Sequence, residues 1–368
     1  RRFAWTLSLV IVCLSLLGMG RPVVAQEDGG PTAQQLTPES GIASNQVQVL
    51  EAAGDSLWSG PLLTLFLEVE GRSGADGRLS SRVSEVTEQG NVVFAIAAAN
   101  AEGQSRVWAG LAFDTGGGTP GAGGFLVSTD GGESFTPRPA ALDAPTDTSV
   151  QYGTTTLPAF PVTRESNSAP QSLAFGPARD TVWVAGNRSG LRWTTDQGQS
   201  WTRAVLPPDT SATIAPGTEA SFPVGPPQGN GLGFNNHVAL SVLVDETGTV
   251  WAGTANGINR SVPGSATTRG QRAWRHVRAD GSPTTPTGNA VVALAEQPRA
   301  SGRNPIWMAS WAVGQAPAAQ QRFGVTVTPD GGATYRPVLV GERIYDVAAR
   351  AGRVYAAGTN GLFVSGDG

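Results

Sequence analysis

Apolar residues in this chain fall in short runs and show no helical spacing. Runs at Val92–Ala98, Ser172–Phe175, Leu240–Val244, Val291–Ala295 and Ile344–Ala348 are alternating or continuous, which is the pattern of β-strands. A turn rich in Gly, Asp or Pro follows each, such as Asp245-Glu246-Thr247-Gly248 or Arg350-Ala351-Gly352-Arg353. A second strand then repeats one phrase: an aliphatic, an aromatic and small residues. Its copies are Val107-Trp108-Ala109-Gly110, Val182-Trp183-Val184-Ala185-Gly186, Val250-Trp251-Ala252-Gly253, Ile306-Trp307-Met308-Ala309 and Val354-Tyr355-Ala356-Ala357-Gly358. Leu57-Trp58-Ser59-Gly60 is a weaker, earlier copy. A third strand opens on Gly and closes on Ser or Thr: Gly124–Ser128, Gly190–Thr194, Gly257–Ser261, Gly324–Thr328 and Gly361–Ser365. We call these strands A, B and C. The spacing between copies varies, so the repeat is a fixed unit with variable loops.

The residues after strand C repeat as well. Ser128-Thr129-Asp130-Gly131-Gly132-Glu133-Ser134-Phe135 is matched by Thr194-Thr195-Asp196-Gln197-Gly198-Gln199-Ser200-Trp201 and by Thr328-Pro329-Asp330-Gly331-Gly332-Ala333-Thr334-Tyr335. Ser365-Gly366-Asp367-Gly368 is read as a fourth copy, cut short. The unit at Gly257 departs from the pattern, with Ser261-Val262-Pro263-Gly264 and an insertion before Ala273-Trp274. In S/T-x-D-x-G-x-S/T-aromatic, the Asp accepts hydrogen bonds from its own turn and the Gly supplies positive φ. The aromatic begins a fourth strand, D, and is expected to pack between neighbouring sheets. An active or metal site occurs once per molecule, so repetition favours a structural role. On that ground Ser128, Asp130, Gly132, Phe135, Thr194, Asp196, Gly198, Trp201, Thr328, Asp330, Gly332, Tyr335, Ser365 and Asp367 are read as scaffold, and no catalytic or metal-ligating residue is assigned.

Repeating short strands with no helical period fit an all-β fold, a β-propeller of four-stranded blades. About six units are visible, the first irregular and the last truncated, which leads us to expect six to eight blades when complete. A β-sandwich would not repeat its sequence, and a β-solenoid would show shorter, more even repeats. The box of residues after strand C resembles the Asp box, or BNR repeat, of sialidase-like propellers. The resemblance covers about Val47 to Gly368 and extends to sortilin-type propellers, photosystem II assembly-factor propellers and family 74 xyloglucan hydrolases. It implies that the boxes are structural and lie away from the active face. A sialidase would also carry an arginine triad, a tyrosine nucleophile and an early Phe/Tyr-Arg-Ile-Pro stretch, and that stretch is absent. A family 74 enzyme would need two propellers.

Composition narrows the chemistry further. Among 368 residues there are 49 Gly and 26 Pro but no Lys, which removes Schiff-base and P-loop lysine chemistry. The two His, His237 and His276, are too few for a His-rich zinc site, and no cofactor is expected. Arg1 and Arg2 precede an apolar run from Phe3 to Leu17, and Val23-Val24-Ala25 offers small residues for cleavage. This is the pattern of a secretory signal peptide at 1–25, cut after Ala25, and it is too short for a membrane span. Residues 26–46 then read as a linker and 47–368 as the propeller, with a secreted, cell-surface or periplasmic location. The sole cysteine, Cys13, lies in the apolar run, so the mature chain would hold together without disulfides. Cleavage would remove Arg1, Arg2 and Arg21 and no acid, making a net charge of −4 more negative still. An acidic chain without basic clusters argues against nucleic acid as a partner.

Strand alternation puts the B–C and D–A connections on one face and the A–B and C–D turns on the other. The long connections are D–A at about 137–170, 206–236 and 279–288, and B–C at 111–123 and 310–323. The irregular chain is thus concentrated on one face, where binding usually resides. Tyr152, Phe160, Phe222, Phe234, Asn236 and Trp311 are the candidate binding-face residues; passive filler is the other reading of these loops. His237 opens a strand and is read as structural. Loop acids Asp114, Asp143, Asp147, Glu165, Asp209 and Glu219 are available, but no spacing singles out a pair. The expected function is non-catalytic binding of a protein or glycan through this face. The alternative is an extracellular glycoside hydrolase.

Overall fold

The computed structural model describes residues 47–53, 56–61, 66–69, 92–101, 104–116, 118–313, 320–350 and 352–366. The expected signal peptide and linker, and Asp367, lie outside them. In chain order, the strands build antiparallel sheets that each run from the inside outward. The first contains β1 (Val47–Ala53), β2 (Ser56–Pro61) and β3 (Phe66–Val69). The next contains β4 (Val92–Ala101), β5 (Gln104–Asp114), β6 (Pro120–Ser128) and β7 (Thr136–Arg138). A two-stranded hairpin follows, β8 (Ser149–Tyr152) and β9 (Thr155–Pro158). Then come β10 (Pro170–Phe175), β11 (Val182–Gly186), β12 (Gly190–Thr194) and β13 (Thr202–Arg203). β14 (Thr213–Ile214) is an outer fifth strand on the sheet of β15 (Ala239–Val244), β16 (Val250–Thr254), β17 (Gly257–Ser261) and β18 (Trp274–Val277). The series continues with β19 (Ala290–Glu296), β20 (Ile306–Trp311), β21 (Gly324–Thr328) and β22 (Arg336–Val340). The final sheet is β23 (Ile344–Arg350), β24 (Arg353–Gly358) and β25 (Gly361–Ser365).

The inner strands β1, β4, β10, β15, β19 and β23 pack against one another in that order, so the sheets form a β-propeller around a central channel. Middle strands such as β11 and β12 are buried along their whole length, because both faces of each sheet meet a neighbour. The six to eight uniform four-stranded blades expected from the repeat are corrected: among the described residues, fewer than six sheets reach four strands. Four strands occur in three of the described sheets, and the others have two, three or five. The difference arises because β14, drawn from a long connection, extends one sheet, while the hairpin β8–β9 stands apart.

Each inner strand carries a register shift at the same place, as at Val93/Ala95, Pro170/Ser172, Ala239/Ser241, Val291/Ala293 and Ile344/Asp346. A bulge there adds twist and re-aims one side chain near the loop face.

The boxes close the turns between strands C and D. In one, the Ser128 hydroxyl donates to Asp130 Oδ1 at 2.7 Å and accepts the Gly132 N–H at 2.8 Å. Asp130 also accepts the backbone N–H of Ser134 at 3.0 Å and its hydroxyl. Thr194, Asp196, Gly198 and Ser200 repeat this set, as do Thr328, Asp330, Gly332 and Thr334. The glycine is required twice over. Gly132 has φ +87°, and a Cβ on it would meet the Trp58 ring at 2.4 Å.

The aromatics at the head of strand D lock adjacent sheets together. Trp58 of the first sheet meets Phe135 of the next edge-on at 6.4 Å, Trp108 meets Trp201 at 6.0 Å, and Trp183 meets Trp274 at 6.4 Å. Trp251 and Tyr335 share the following buried cluster. The degenerate unit has therefore lost its Asp yet keeps the wedge, Trp274, in place. Such edge-to-face pairs add to the large apolar area each ring buries.

Two long connections turn out to be packed arms. Tyr152 and Leu157 of the hairpin, and Leu206, Ile214 and Val224 of the second arm, join Trp183, Trp193 and Trp274 in one core. A bridge between Ala159 and Val224 ties the arms together. They cover the short outer strands, whose edges would otherwise be open to pairing. The reading of these loops as passive filler is corrected, because their apolar residues bury the sheet rims.

Candidate functional site

The aromatic residues proposed from the sequence do not form one surface. Tyr152 is fully buried, and its hydroxyl donates to the Arg272 carbonyl at 2.7 Å. Burial raises that phenol above its ordinary range. Asn236 is fully buried too, bonded to the Pro207 carbonyl, Asn259 and Thr254. Both are corrections to the expected binding face: each is consumed in anchoring an arm. Phe222 and Phe234 are half-buried and pack against each other at 5.8 Å and against His237. His237 accepts the Gly225 N–H at Nδ1 (2.7 Å) and lies 2.9 Å from the Leu206 carbonyl at Nε2, so both ring nitrogens are used by the scaffold. Burial pushes it down to about 4. Phe160 is half-buried, and its carbonyl accepts from Arg203.

Trp311 is different. It ends β20 at the loop face, half-buried, with its indole Nε1 donating to the Ile344 carbonyl at 2.5 Å. The guanidinium of Arg343 lies 4.5 Å from its ring centroid and 5.7 Å from those of Phe323 and Tyr345. Tyr345 meets Trp311 edge-on at 5.6 Å and is 50% exposed. These residues come from four different places: the end of β20, the approach to β21, the D–A turn at 341–343 and the start of β23.

The backbone between them is tied down. Gly341 N–H donates to the Phe323 carbonyl at 2.8 Å, and Thr359 N–H to the Arg343 carbonyl at 3.0 Å. Tyr345 is the residue skipped by the register shift between Ile344 and Asp346, so the bulge frees it to lean over the face. At the rim, the Tyr345 hydroxyl lies 3.1 Å from Thr359 Oγ1, and Asn360 donates to Glu342 at 2.7 Å. Phe323 and Arg343 carry no motif in the sequence. One signal was available: Tyr345 is an aromatic in a strand where the other units place aliphatic residues.

Four of the six long-loop acids are engaged in holding the chain, while Glu165 and Glu219 are exposed. Asp143 is the centre of a buried cluster, taking both terminal nitrogens of Arg192 at 2.7 and 2.9 Å, Arg203, and the Val162 N–H. Desolvation alone would raise its carboxyl, but the hydrogen bonds of Arg192 and the charges of Arg192 and Arg203 hold it below the ordinary value. Asp114 accepts the Gly116 N–H, Asp147 that of Ala144, and Asp209 those of Asn235 and Asn236.

A void of about 680 Å³ lies in the channel, at the end carrying the A–B turns. Gln171, Arg179, Glu51, Glu296 and Asp346 line it. Desolvation, with the neighbouring Asp346 charge adding, pushes Glu51 up to about 7. Glu296 is also raised by desolvation while accepting from Glu246 N–H and Asn304. None of these inner-strand acids carries a motif that sequence reading recognises. Among the described residues, no three His, Cys, Asp or Glu come together as a metal site, and no helix is long and apolar enough to cross a membrane.

No family model matches the sequence, and no curated protein resembles it. Solved structures align with it at low identity. The extracellular domain assigned to a hybrid two-component system of B. thetaiotaomicron is 14% identical, with TM-score 0.44, over 88% of this chain and 32% of that one. This chain therefore spans about a third of that protein's length. The β-propeller domain of Swd1 from Myceliophteria thermophila is 9% identical, over 86% of this chain and 82% of that one, with TM-score 0.49. A family 74 xyloglucanase from Xanthomonas campestris is 17% identical, with TM-score 0.36, over 87% of this chain and 43% of that one. The β-propeller architecture rests on this chain's own strand topology and on the packing of its inner strands.

Proposed function

We propose that this chain is an exported, non-catalytic β-propeller of the Asp-box kind, which binds a protein or a glycan through its B–C/D–A loop face. The observation that carries the reading is the Trp311–Tyr345–Arg343 cluster. It is a solvent-facing group of rings and a cation, on a backbone pinned by hydrogen bonds, at the end of the sheets where loops converge. Rigid aromatic platforms with polar rims bind well because little side-chain entropy is lost on contact. Four acids of the long loops, Asp114, Asp143, Asp147 and Asp209, are spent on guanidinium and backbone or amide N–H groups, which supports binding over chemistry there. The test is binding of the full chain to arrayed extracellular polysaccharides and purified surface proteins. Trp311→Ala, which removes the platform, is expected to abolish binding; retention of full binding by that variant refutes the face.

A second reading, glycoside hydrolysis, is favoured by the channel. Glu51, raised to about 7 by desolvation with the Asp346 charge adding, shares its proton between acid and base forms near neutral pH, as a general acid must. Release of reducing sugar by the full chain, lost in Glu51→Gln, would establish it.

A further inference from the structure

Resting on the binding reading above, we infer that the loop-face cluster is a subsite for a carboxylate-bearing sugar, a uronate residue of an acidic glycan. The argument starts from Arg343. Its guanidinium lies against the Trp311 ring and between Phe323 and Tyr345, so its position is set by aromatic contacts. Among the described residues it has no acidic partner and no hydrogen-bond acceptor; the nearest acid in sequence, Glu342, is engaged by Asn360. A stacked guanidinium keeps the N–H groups along its edge, and the side chain is exposed. Those donors form the fork that takes a carboxylate in a bidentate pair. The ordering cost of a long side chain is met before any ligand arrives.

The surroundings select a sugar over an acidic peptide. A peptide strand is held mainly through main-chain hydrogen bonds to an open edge. Here the main chain is occupied: Gly341 N–H by the Phe323 carbonyl, the Arg343 carbonyl by Thr359 N–H, and the Ile344 carbonyl by the Trp311 indole. The rim carries the Tyr345 and Thr359 hydroxyls, which share one hydrogen bond and keep further donor and acceptor capacity, the Asn360 amide, which gives one N–H to Glu342 and keeps its second N–H and its oxygen, and the exposed ring of Tyr345. Hydroxyls and amides match the hydroxyls of a pyranose, and the ring matches its C–H face.

The experiment is isothermal titration of the full chain with short oligomers of galacturonate, glucuronate, mannuronate and guluronate, with their methyl esters, and with a poly-glutamate peptide. One uronate is expected to bind, and its methyl ester to bind about tenfold or more weakly, since esterification removes a charge-assisted pair. Arg343→Gln and Tyr345→Ala, both at exposed positions, are each expected to lose about tenfold or more with unchanged melting temperature. Arg343→Lys is expected to recover little, because it keeps the charge and loses the planar fork. Binding of no uronate, equal binding of the ester, indifference to Arg343→Gln, or equally tight binding of poly-glutamate each overturn the inference. If a neutral glycan or a surface protein binds instead and is lost in Trp311→Ala, the broader reading stands and this one alone fails. If nothing binds at this face, both fail.

Discussion

Removing the carboxylate of Asp143 leaves two arginines, Arg192 and Arg203, facing each other in a site from which water is excluded. Arg192 is 1% exposed. Asp143→Ala deletes the acceptor for both terminal nitrogens of Arg192, for Arg203 and for the Val162 N–H. Arg192 keeps only its Nε bond to the Ser189 carbonyl, and Arg203 keeps the carbonyls of Phe160 and Val224. Breaking a buried pair in this way costs about 3–5 kcal/mol, since the charges left behind are neither solvated nor paired. A change of that size lowers the melting temperature by roughly 5–15 °C. Thermal unfolding followed by circular dichroism at pH 7 measures it. The sign with pH is fixed: the folded carboxyl sits below its unfolded value near 3.9, so its contribution is complete above that pH and disappears as pH falls through the folded value. The gap between wild type and variant should therefore close in acid. The triple change Asp143→Leu, Arg192→Met, Arg203→Met should recover most of the loss, because apolar groups of similar size replace buried ion clusters at little cost. An Asp143→Ala protein within 1 kcal/mol of wild type, or a gap that widens in acid, refutes the account.

Four further outcomes are expected. Asp196→Ala removes the acceptor of the Thr194 and Ser200 hydroxyls and of the Ser200 N–H, and should cost about 1–3 kcal/mol in urea unfolding without altering ligand affinity. Asp130 is held down to about 2 chiefly by the Ser134 hydroxyl, and Asp196 to about 2 by Ser200 against desolvation. The stability both lend is thus present above the usual carboxylate range and lost toward pH 2, which an acid titration monitored by tryptophan fluorescence would show. Gly132→Ala should destabilise by more than a surface substitution, because it strains a positive φ and drives a methyl into Trp58; an unchanged melting temperature would contradict that. Excising 149–158, the β8–β9 hairpin, should expose the core around Trp183 and Trp274 and raise dye binding to apolar surface, whereas a passive loop would be lost silently.

The strands, the turns and their order were legible in the linear pattern because each is a local matter. Alternation of side chains, a Gly where φ is positive and an Asp beside the N–H groups of its own turn all act within a few residues. The repeat then revealed that Phe135, Trp201 and Tyr335 occupy equivalent places, and even the degenerate unit showed its aromatic, Trp274. The contribution of the long connections was not legible. Tyr152, Phe222 and Phe234 have the composition of a binding surface, yet Tyr152 bonds to the carbonyl of Arg272, which is remote in sequence. Likewise, Asp143 carries no local mark that it will meet Arg192 and Arg203.

The site shows the same division. Trp311 could be read as an aromatic on the loop face, because strand parity follows from the repeat alone. That Arg343 would stack on it, and that a bulge would turn Tyr345 toward it, depended on how β20 and β23 lie side by side. Periodicity records which face of a strand a residue takes; it holds no information about which side chains from separate sheets converge. Convergence is decided by packing between sheets, whose contacts join residues far apart in the chain and leave no local pattern.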